Sequence, residues 1–234
     1  GIDLALFKSR VKLEYTLSYQ DVKDQIFDVP TAGSSGYQAL RTNAGRMTTW
    51  SHEFALNATL LDHADYSLDL GLNFTKVTNK VKELAHGVES IMLGGFVEPQ
   101  IRAQAGYTYP NIYGKAFKRT KDGSLLLRNG LPQATSASVN LGECAPDFNM
   151  GFNLHAHYKN LSLSATMDWQ KGGCMYNGTL LTMNYFGATK ESLPYHEGTM
   201  VAEGINEATG AKNTVVVSKQ SYYQAYNDVT EAGI

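Results

Sequence analysis

Apolar and polar residues alternate one for one over long stretches of this chain. Between residues 148 and 158, Phe148, Met150, Phe152, Leu154, Ala156 and Tyr158 interleave with Asn149, Gly151, Asn153, His155 and His157. After Lys159 and Asn160 the pattern restarts, with Leu161, Leu163, Ala165, Met167 and Trp169 set against Ser162, Ser164, Thr166 and Asp168. The same period runs from Val11 to Gln20, from Trp50 to Leu60 and from Tyr66 to Thr75. A period of two puts successive side chains on opposite faces of a β-strand, whereas a helix repeats every 3.6 residues. An all-β chain is predicted, with one apolar and one polar face per strand.

Strand length narrows the architecture. Ten to twelve alternating residues reach about 35–40 Å at roughly 3.3 Å per residue, against about 5 or 6 residues in an ordinary globular strand. That reach suits a tilted strand crossing a bilayer. The connections also sort by length: LDHADY (61–66) and Lys159-Asn160 are tight turns, whereas 21–46, 78–100 and 172 onward are long and rich in Gly, Pro, Ser and Asn. Short turns at one end and long loops at the other characterise outer-membrane barrels. The predicted fold is therefore a segment of an antiparallel transmembrane β-barrel with short periplasmic turns and long extracellular loops. Its apolar face meets lipid and its polar face lines a water-filled interior. Tyr19, Trp50, Tyr66, Tyr158 and Trp169 fall near the ends of the apolar faces, where an amphipathic ring suits the membrane interface.

The alternative is a soluble β-sandwich, a carbohydrate-binding or adhesin module, which shares the alternation and the aromatics but has no reason to sort its loops. Two regions fit neither pattern cleanly. Residues 101–146 read as a hairpin, with turn signals at Lys121 to Gly123 and in NGLPQ, that either crosses the membrane or folds back above it. Beyond Gly187 only TVVVSKQ (214–220) resembles a strand, and SYYQAYNDVTEA is either a helix or an extended tail.

Twenty basic residues against 22 acidic ones, a net charge of −2, leave no overall electrostatic footprint for nucleic acid or an anionic surface. Charged residues make up 18% of the chain, below the roughly 25% of soluble domains, while 14 Tyr and 22 Gly favour strands and turns. No run approaches 18 consecutive apolar residues, so no spanning helix is expected; a barrel alternates and escapes that test. The chain opens GIDLALFK, without Met, basic leader or signal core, and is expected to be a piece of something longer. Its two cysteines, Cys144 and Cys174, are too few for a disulfide scaffold. They form either a cross-strand disulfide, which requires a bulge at Gly172 and Gly173, or two unpaired thiols.

Catalytic constellations are not evident. GSSG (33–36) lacks the spacing and context of a nucleophile elbow. His155 and His157 share one face of one strand but have no third ligand suggested nearby, so neither metal nor cofactor is expected. Glu14, Glu53, Asp69 and Asp168 occupy polar faces, and sequence does not supply the fixed separation a glycosidase pair needs. These four carboxylates and the two histidines are candidates for lining a substrate path, and the chain is expected not to be an enzyme. Four Asn-x-Ser/Thr triplets begin at Asn57, Asn73, Asn160 and Asn177 and are treated as accidental.

The order and spacing of several short motifs resemble the C-terminal half of the barrel of SusC/RagA-type TonB-dependent outer-membrane transporters. They are GIDLALFKSR, SSGY followed by NAG (43–45), LNFTKVTNKVKEL, GYTYPNIYGKAFKRTKDG, NGLPQ, LGECAPDFNMGF, and GGCMYNGT followed by Met183 and Gly187, together covering residues 1 to about 190. The chain departs from the family at Trp50-Ser51-His52-Glu53-Phe54, where Asn-Lys-Gly-Val-Glu is usual, and at Lys171, where the family has Arg. The resemblance implies a 22-stranded barrel in the bacterial outer membrane, of which residues 1–234 are one fragment. It places the plug domain, the TonB box and the closing strands outside this chain. It also implies a SusD-like surface lipoprotein and TonB as partners, and import of large nutrients, oligosaccharides or peptides.

Overall fold

The alternating stretches lie side by side in one antiparallel sheet in the computed structural model, which describes residues 1–193 and 197–234. In chain order, β1 (Ile2–Leu6), β2 (Val11–Pro30), β3 (Ala39–His63) and β4 (Tyr66–Leu84) come first. Six short strands follow: β5 (Ser90–Gly95), β6 (Gln100–Gln104), β7 (Asn111–Gly114), β8 (Leu126–Arg128), β9 (Leu131–Pro132) and β10 (Val139–Glu143). β11 (Phe148–Tyr158) and β12 (Leu161–Lys171) complete the large sheet in the order β1-β2-β3-β4-β11-β12. The remainder comprises α1 (Gly178–Tyr185), β13 (Thr199–Val201), β14 (Ile205–Asn206), β15 (Val216–Ser218) and α2 (Lys219–Ala225). Two compact units result, one of residues 1–91, 103–109 and 145–173, the other of 92–102, 110–144 and 174–234.

Register in the first unit carries the period of two across all six strands. Leu4, Leu13, Leu56, Leu72, Phe152 and Met167 form one cross-strand row, and the row one residue away is Asp3, Glu14, Ala55, Asn73, Gly151 and Asp168. One side of the sheet is consequently apolar and the other polar over its whole width. His52, the polar intruder on the apolar side, is satisfied by the Tyr15 hydroxyl 2.9 Å from its Nδ1. Among the described residues of this unit nothing packs on the apolar side at β12: Leu163 and Met167 are 58% and 59% exposed. A sandwich would bury those residues against a second sheet. Leaving such side chains in water forfeits about 1.5–3 kcal/mol each relative to burial, so the face requires an apolar covering.

The tight turns lie at one end of this sheet. Ala64-Asp65 and Lys159-Asn160 are two-residue connections, and the Lys159 N–H donates to Asp65 O across them at 2.7 Å. Lys159 takes a positive φ of 51°, which suits the primed turn that matches strand twist. At the other end the strands run farther than the alternation predicts. Residues 21–30 and 39–46, expected in a loop, continue the β2–β3 ladder past a bulge between Val22 and Gln25, and residues 78–84 continue β4. The true β2–β3 connection is only 31–38. Pairing persists there without regular alternation: Ile26 is 66% exposed, whereas Ala44 and Val81 are buried.

Aromatic residues of the apolar side form two lines. Near the turns, Tyr66 stands opposite both Tyr158 and His63. Toward the long connections, Tyr19 packs on Trp50 with ring centroids 4.5 Å apart, and Trp169 meets Phe148 edge-on at 5.2 Å. Trp169 shares a row with Met150, Phe74 and Phe54, and Trp50 lies four residues beyond Phe54 on β3. The second line therefore climbs about 13 Å along the strands over three strand spacings, about 14 Å, and leaves the strands inclined by roughly 40° to its normal.

The second unit is built of short elements. β7 pairs with β10 and with residues 100–102 of β6, and all four of its residues are buried. The predicted turns appear: Gly123 N–H closes on Thr120 O, and Asn129-Gly130, both at positive φ, join β8 to β9. Strands of two to six residues between 90 and 143 are too short to cross a bilayer. The expected hairpin over 101–146 is accordingly replaced by several small ladders. The strand expected over 214–220 is β15, and SYYQAYNDVTEA opens as helix α2, capped by Ser218 Oγ, which accepts the Ser221 N–H at 3.1 Å. Helix α1, which alternation does not predict, is capped by Asn177 Oδ1 on the Leu180 N–H.

The C-terminal turn staples the irregular segment that follows β7. Glu231 accepts the Phe117 N–H at 2.7 Å and the Arg119 guanidinium at 3.0 Å, while Thr230 Oγ1 accepts the Lys115 N–H at 3.2 Å. Nearby, Arg128 and then Lys118 hold the Glu207 carboxyl below its usual range. Both cysteines are free thiols. Gly172 and Gly173 do interrupt the alternation, at φ of 75° and 84°, but they set the Cys174 N–H on Glu143 O and its Sγ against Gly142 instead of in a bond to Cys144. Burial raises the Cys144 thiol above its ordinary pKa.

Candidate functional site

The polar side of the large sheet is a continuous hydrogen-bonding surface. Each of its residues stands there because it is one step out of phase with an apolar residue. Thr59, Asp69, His155 and Ser164 share a row across β3, β4, β11 and β12. Thr59 Oγ1 donates to Asp69 Oδ1 at 2.6 Å, and His155 Nδ1 lies 2.9 Å from Ser164 Oγ. The next row holds Lys12, Asn57, Gly71, Asn153 and Thr166, with Thr166 Oγ1 donating to Asn153 Oδ1 at 3.1 Å.

Gly71 opens a hollow in this surface. A Cβ there would lie 3.3 Å from Asn57 Oδ1 and 3.4 Å from the Asn153 Cβ, so the missing side chain leaves two amides facing across a gap. Gly151, in the following row, likewise leaves room beside Asp168 Oδ1. The depression measures about 400 Å³ and is lined by Arg10, Lys12, Asn57, Asp69, Asn153 and His155 among others. It offers amide, hydroxyl, carboxylate and imidazole groups with one cationic rim, a set that recognises hydroxyls or peptide amides by both donation and acceptance.

The six expected lining residues distribute unevenly. Asp69 and His155 stand directly opposite one another at the hollow. His157 sits one row toward the turn, between Ser67 and Ser162. Glu14 and Asp168 share a row but are four strand spacings apart, about 19 Å, well beyond the separation of a glycosidase pair. Glu53 lies farther along, between Thr16 and Thr75, and accepts from Ser51 Oγ at 3.3 Å. Among the described residues no group of three His, Cys, Asp or Glu is placed to hold a metal ion. Sequence suggests amides as a lining without singling out Asn57, Asn73 or Asn153, or the neighbouring Gly71 and Gly151, although a glycine at a polar position of an alternating strand signals close approach or a gap.

No protein-family model matches the chain. Among curated proteins it is similar to TonB-dependent receptor P3 of Formosa agariphila, 27% identical over 208 residues, covering 78% of this chain and 21% of that protein. TonB-dependent receptor P26 of the same organism is 22% identical over 205 residues, 76% of this chain and 20% of that protein. The chain thus spans about a fifth of the length of these relatives. Among solved structures, the RagAB peptide transporter superposes with a TM-score of 0.60 at 20% identity, over 77% of this chain and 21% of that one. The RagAB peptide importer in its open-open state gives 0.64 at 18% identity, over 91% and 25%.

Proposed function

We infer, from this chain's membership of the SusC/RagA type of TonB-dependent outer-membrane transporters, that it forms part of the barrel wall through which large polar nutrients enter. The carrying observation is the two-faced six-stranded sheet: an unpacked apolar side suited to acyl chains, and a polar side with a hollow suited to an aqueous lumen. The normal to the aromatic line lies at roughly 40° to the strands, which supports this placement, since membrane barrels incline their strands by about 35–45° to the axis. Tyr19, Trp50 and Trp169 then mark the outer interface, and Tyr66 and Tyr158 the inner one.

Oligosaccharides or peptides are the substrate class proposed, because hydroxyls and backbone amides both pair with the Asn57, Asp69, Asn153 and His155 set. RagAB, the structural neighbour, is a peptide transporter. The plug, the segment that engages TonB and the remaining strands are assigned to the rest of the parent protein, and a SusD-like lipoprotein to its extracellular mouth. The test is uptake of fluorescent oligopeptides and oligosaccharides by cells carrying the full-length protein with Gly71→Phe. A phenyl ring in the hollow is expected to lower uptake roughly tenfold, the equivalent of about 1.4 kcal/mol, at unchanged surface abundance. Ala165→Leu on the lipid side should leave uptake as it was. Wild-type uptake by Gly71→Phe would remove the hollow from the substrate path.

A further inference from the structure

The net charge of −2 conceals a local asymmetry on the apolar side of the sheet. Following β4 from Phe74 toward the long connections, the same-face positions are Lys76, Thr78 and Lys80; on β12, Lys171 comes two residues after Trp169. Phe148 is the cross-strand partner of Lys171, whose ammonium lies 6.0 Å from its ring centroid, and its ring packs 5.4 Å from that of Phe74, two residues before Lys76. All three lysines are exposed, and among the described residues none lies within ion-pairing distance of a carboxylate. Asp21, the acidic residue in the row of Lys80, is already held by Arg46 at 2.7 and 2.9 Å.

Their height is fixed by the aromatic line. Interpolated between Trp169 on β12 and Trp50 on β3, that line crosses β4 near Lys76. Lys171 then stands about 5 Å above it and Lys80 about 8 Å, for strands inclined by roughly 40°. This is the headgroup zone on the side of the long, extracellular connections. Three unneutralised ammonium groups there, above hydrocarbon and beside aromatic rings, complement anionic groups that the membrane itself supplies.

We propose that Lys76, Lys80 and Lys171 form an outward-facing anchor for the phosphate groups of an outer-leaflet phosphoglycolipid. The anchor rests on the barrel orientation proposed above. Bound lipid bridges β4 and β12 over the intervening β11 and clamps the rim where the strands leave the membrane.

The full-length protein in non-ionic detergent is titrated with diphosphorylated lipid A, with the same glycolipid after dephosphorylation, and with inorganic phosphate, and retained lipid is read by native mass spectrometry. At about fivefold per surface lysine, Lys76→Gln/Lys80→Gln/Lys171→Gln is expected to weaken retention of the phosphorylated lipid on the order of a hundredfold. The charge-matched Lys121→Gln/Lys190→Gln/Lys212→Gln control should retain it as the wild type does. Undiminished affinity in the first variant, equal affinity of wild type for the dephosphorylated lipid, or full displacement by millimolar phosphate each overturns the anchor. A benzophenone side chain at Leu163 separates the two levels of inference. Crosslinks to acyl chains alongside unaffected lysine variants reject only the anchor, whereas no lipid crosslink rejects the orientation and the anchor with it.

Discussion

Arginine at Leu154 is expected to destabilise the folded full-length protein by about 2–4 kcal/mol, the cost of a cation on the lipid side at mid-membrane. Arginine one residue earlier, at Asn153, is expected to change stability by less than about 1 kcal/mol. Leu154 lies four residues from Tyr158 and four from Met150, the partner of Trp169, and so sits midway between the aromatic lines. Asn153 points to the opposite face, into the polar hollow. Urea unfolding of protein refolded into detergent micelles measures both. Neighbouring positions in one strand thereby give opposite answers, which a buried core on both faces would not produce. Comparable losses for Leu154→Arg and Asn153→Arg would indicate such a core.

Gly114→Ala should loosen the second unit without touching the large sheet. A Cβ at this position would come 2.5 Å from the Thr230 Cβ and 2.6 Å from its Oγ1. Thr230 is buried and its hydroxyl accepts the Lys115 N–H, so it can yield only by abandoning that bond. Overpacking costs about 1–3 kcal/mol, and the lost hydrogen bond about 1 more. Limited trypsin digestion of the full-length protein reads the effect as faster cleavage at Lys115, Lys118 and Arg119. Thr230→Gly in the same molecule should restore much of the protection, because the two sites share one contact. Wild-type protection in Gly114→Ala would show that the C-terminal turn does not hold this segment.

The large sheet was legible from residues alone, since one commitment, apolar to one side and polar to the other, runs from Trp50 to Leu60, Tyr66 to Thr75 and Phe148 to Trp169, broken at His52 and Ala55. Where that commitment lapses, so does the signal. Residues 21–30 and 39–46 remain paired without a regular alternation of apolar and polar positions, and their sequence reads as loop. Helix α1 is too short to show a period, and its one local sign was the cap at Asn177. The second unit is held by contacts between residues far apart in sequence, such as Glu231 with Phe117, which no periodicity records.

The site was half visible. Alternation identifies Asp69 and His155 as polar-face residues but does not say that they stand opposite one another; that follows from register, set by the two turns. It likewise cannot show that Glu14 and Asp168 are far apart. The Asn-x-Thr triplets at Asn57 and Asn73 acquire a structural explanation. Residues two apart share a face, so an amide and a hydroxyl repeated on the wet side produce the triplet without any call for glycosylation.

Alternating solvent exposure along β12 is the most direct measurement. In full-length protein with Cys144 and Cys174 replaced by serine, single cysteines at positions 161 to 169 carry nitroxide labels in lipid vesicles. Collision rates with oxygen, which concentrates in hydrocarbon, and with a water-soluble nickel chelate are then compared. The expected result is a period of two, with oxygen dominant at 161, 163, 165, 167 and 169 and the chelate dominant at 162, 164, 166 and 168. A flat profile, or the reverse phase, would contradict the assignment of the apolar side to lipid and the polar side to water.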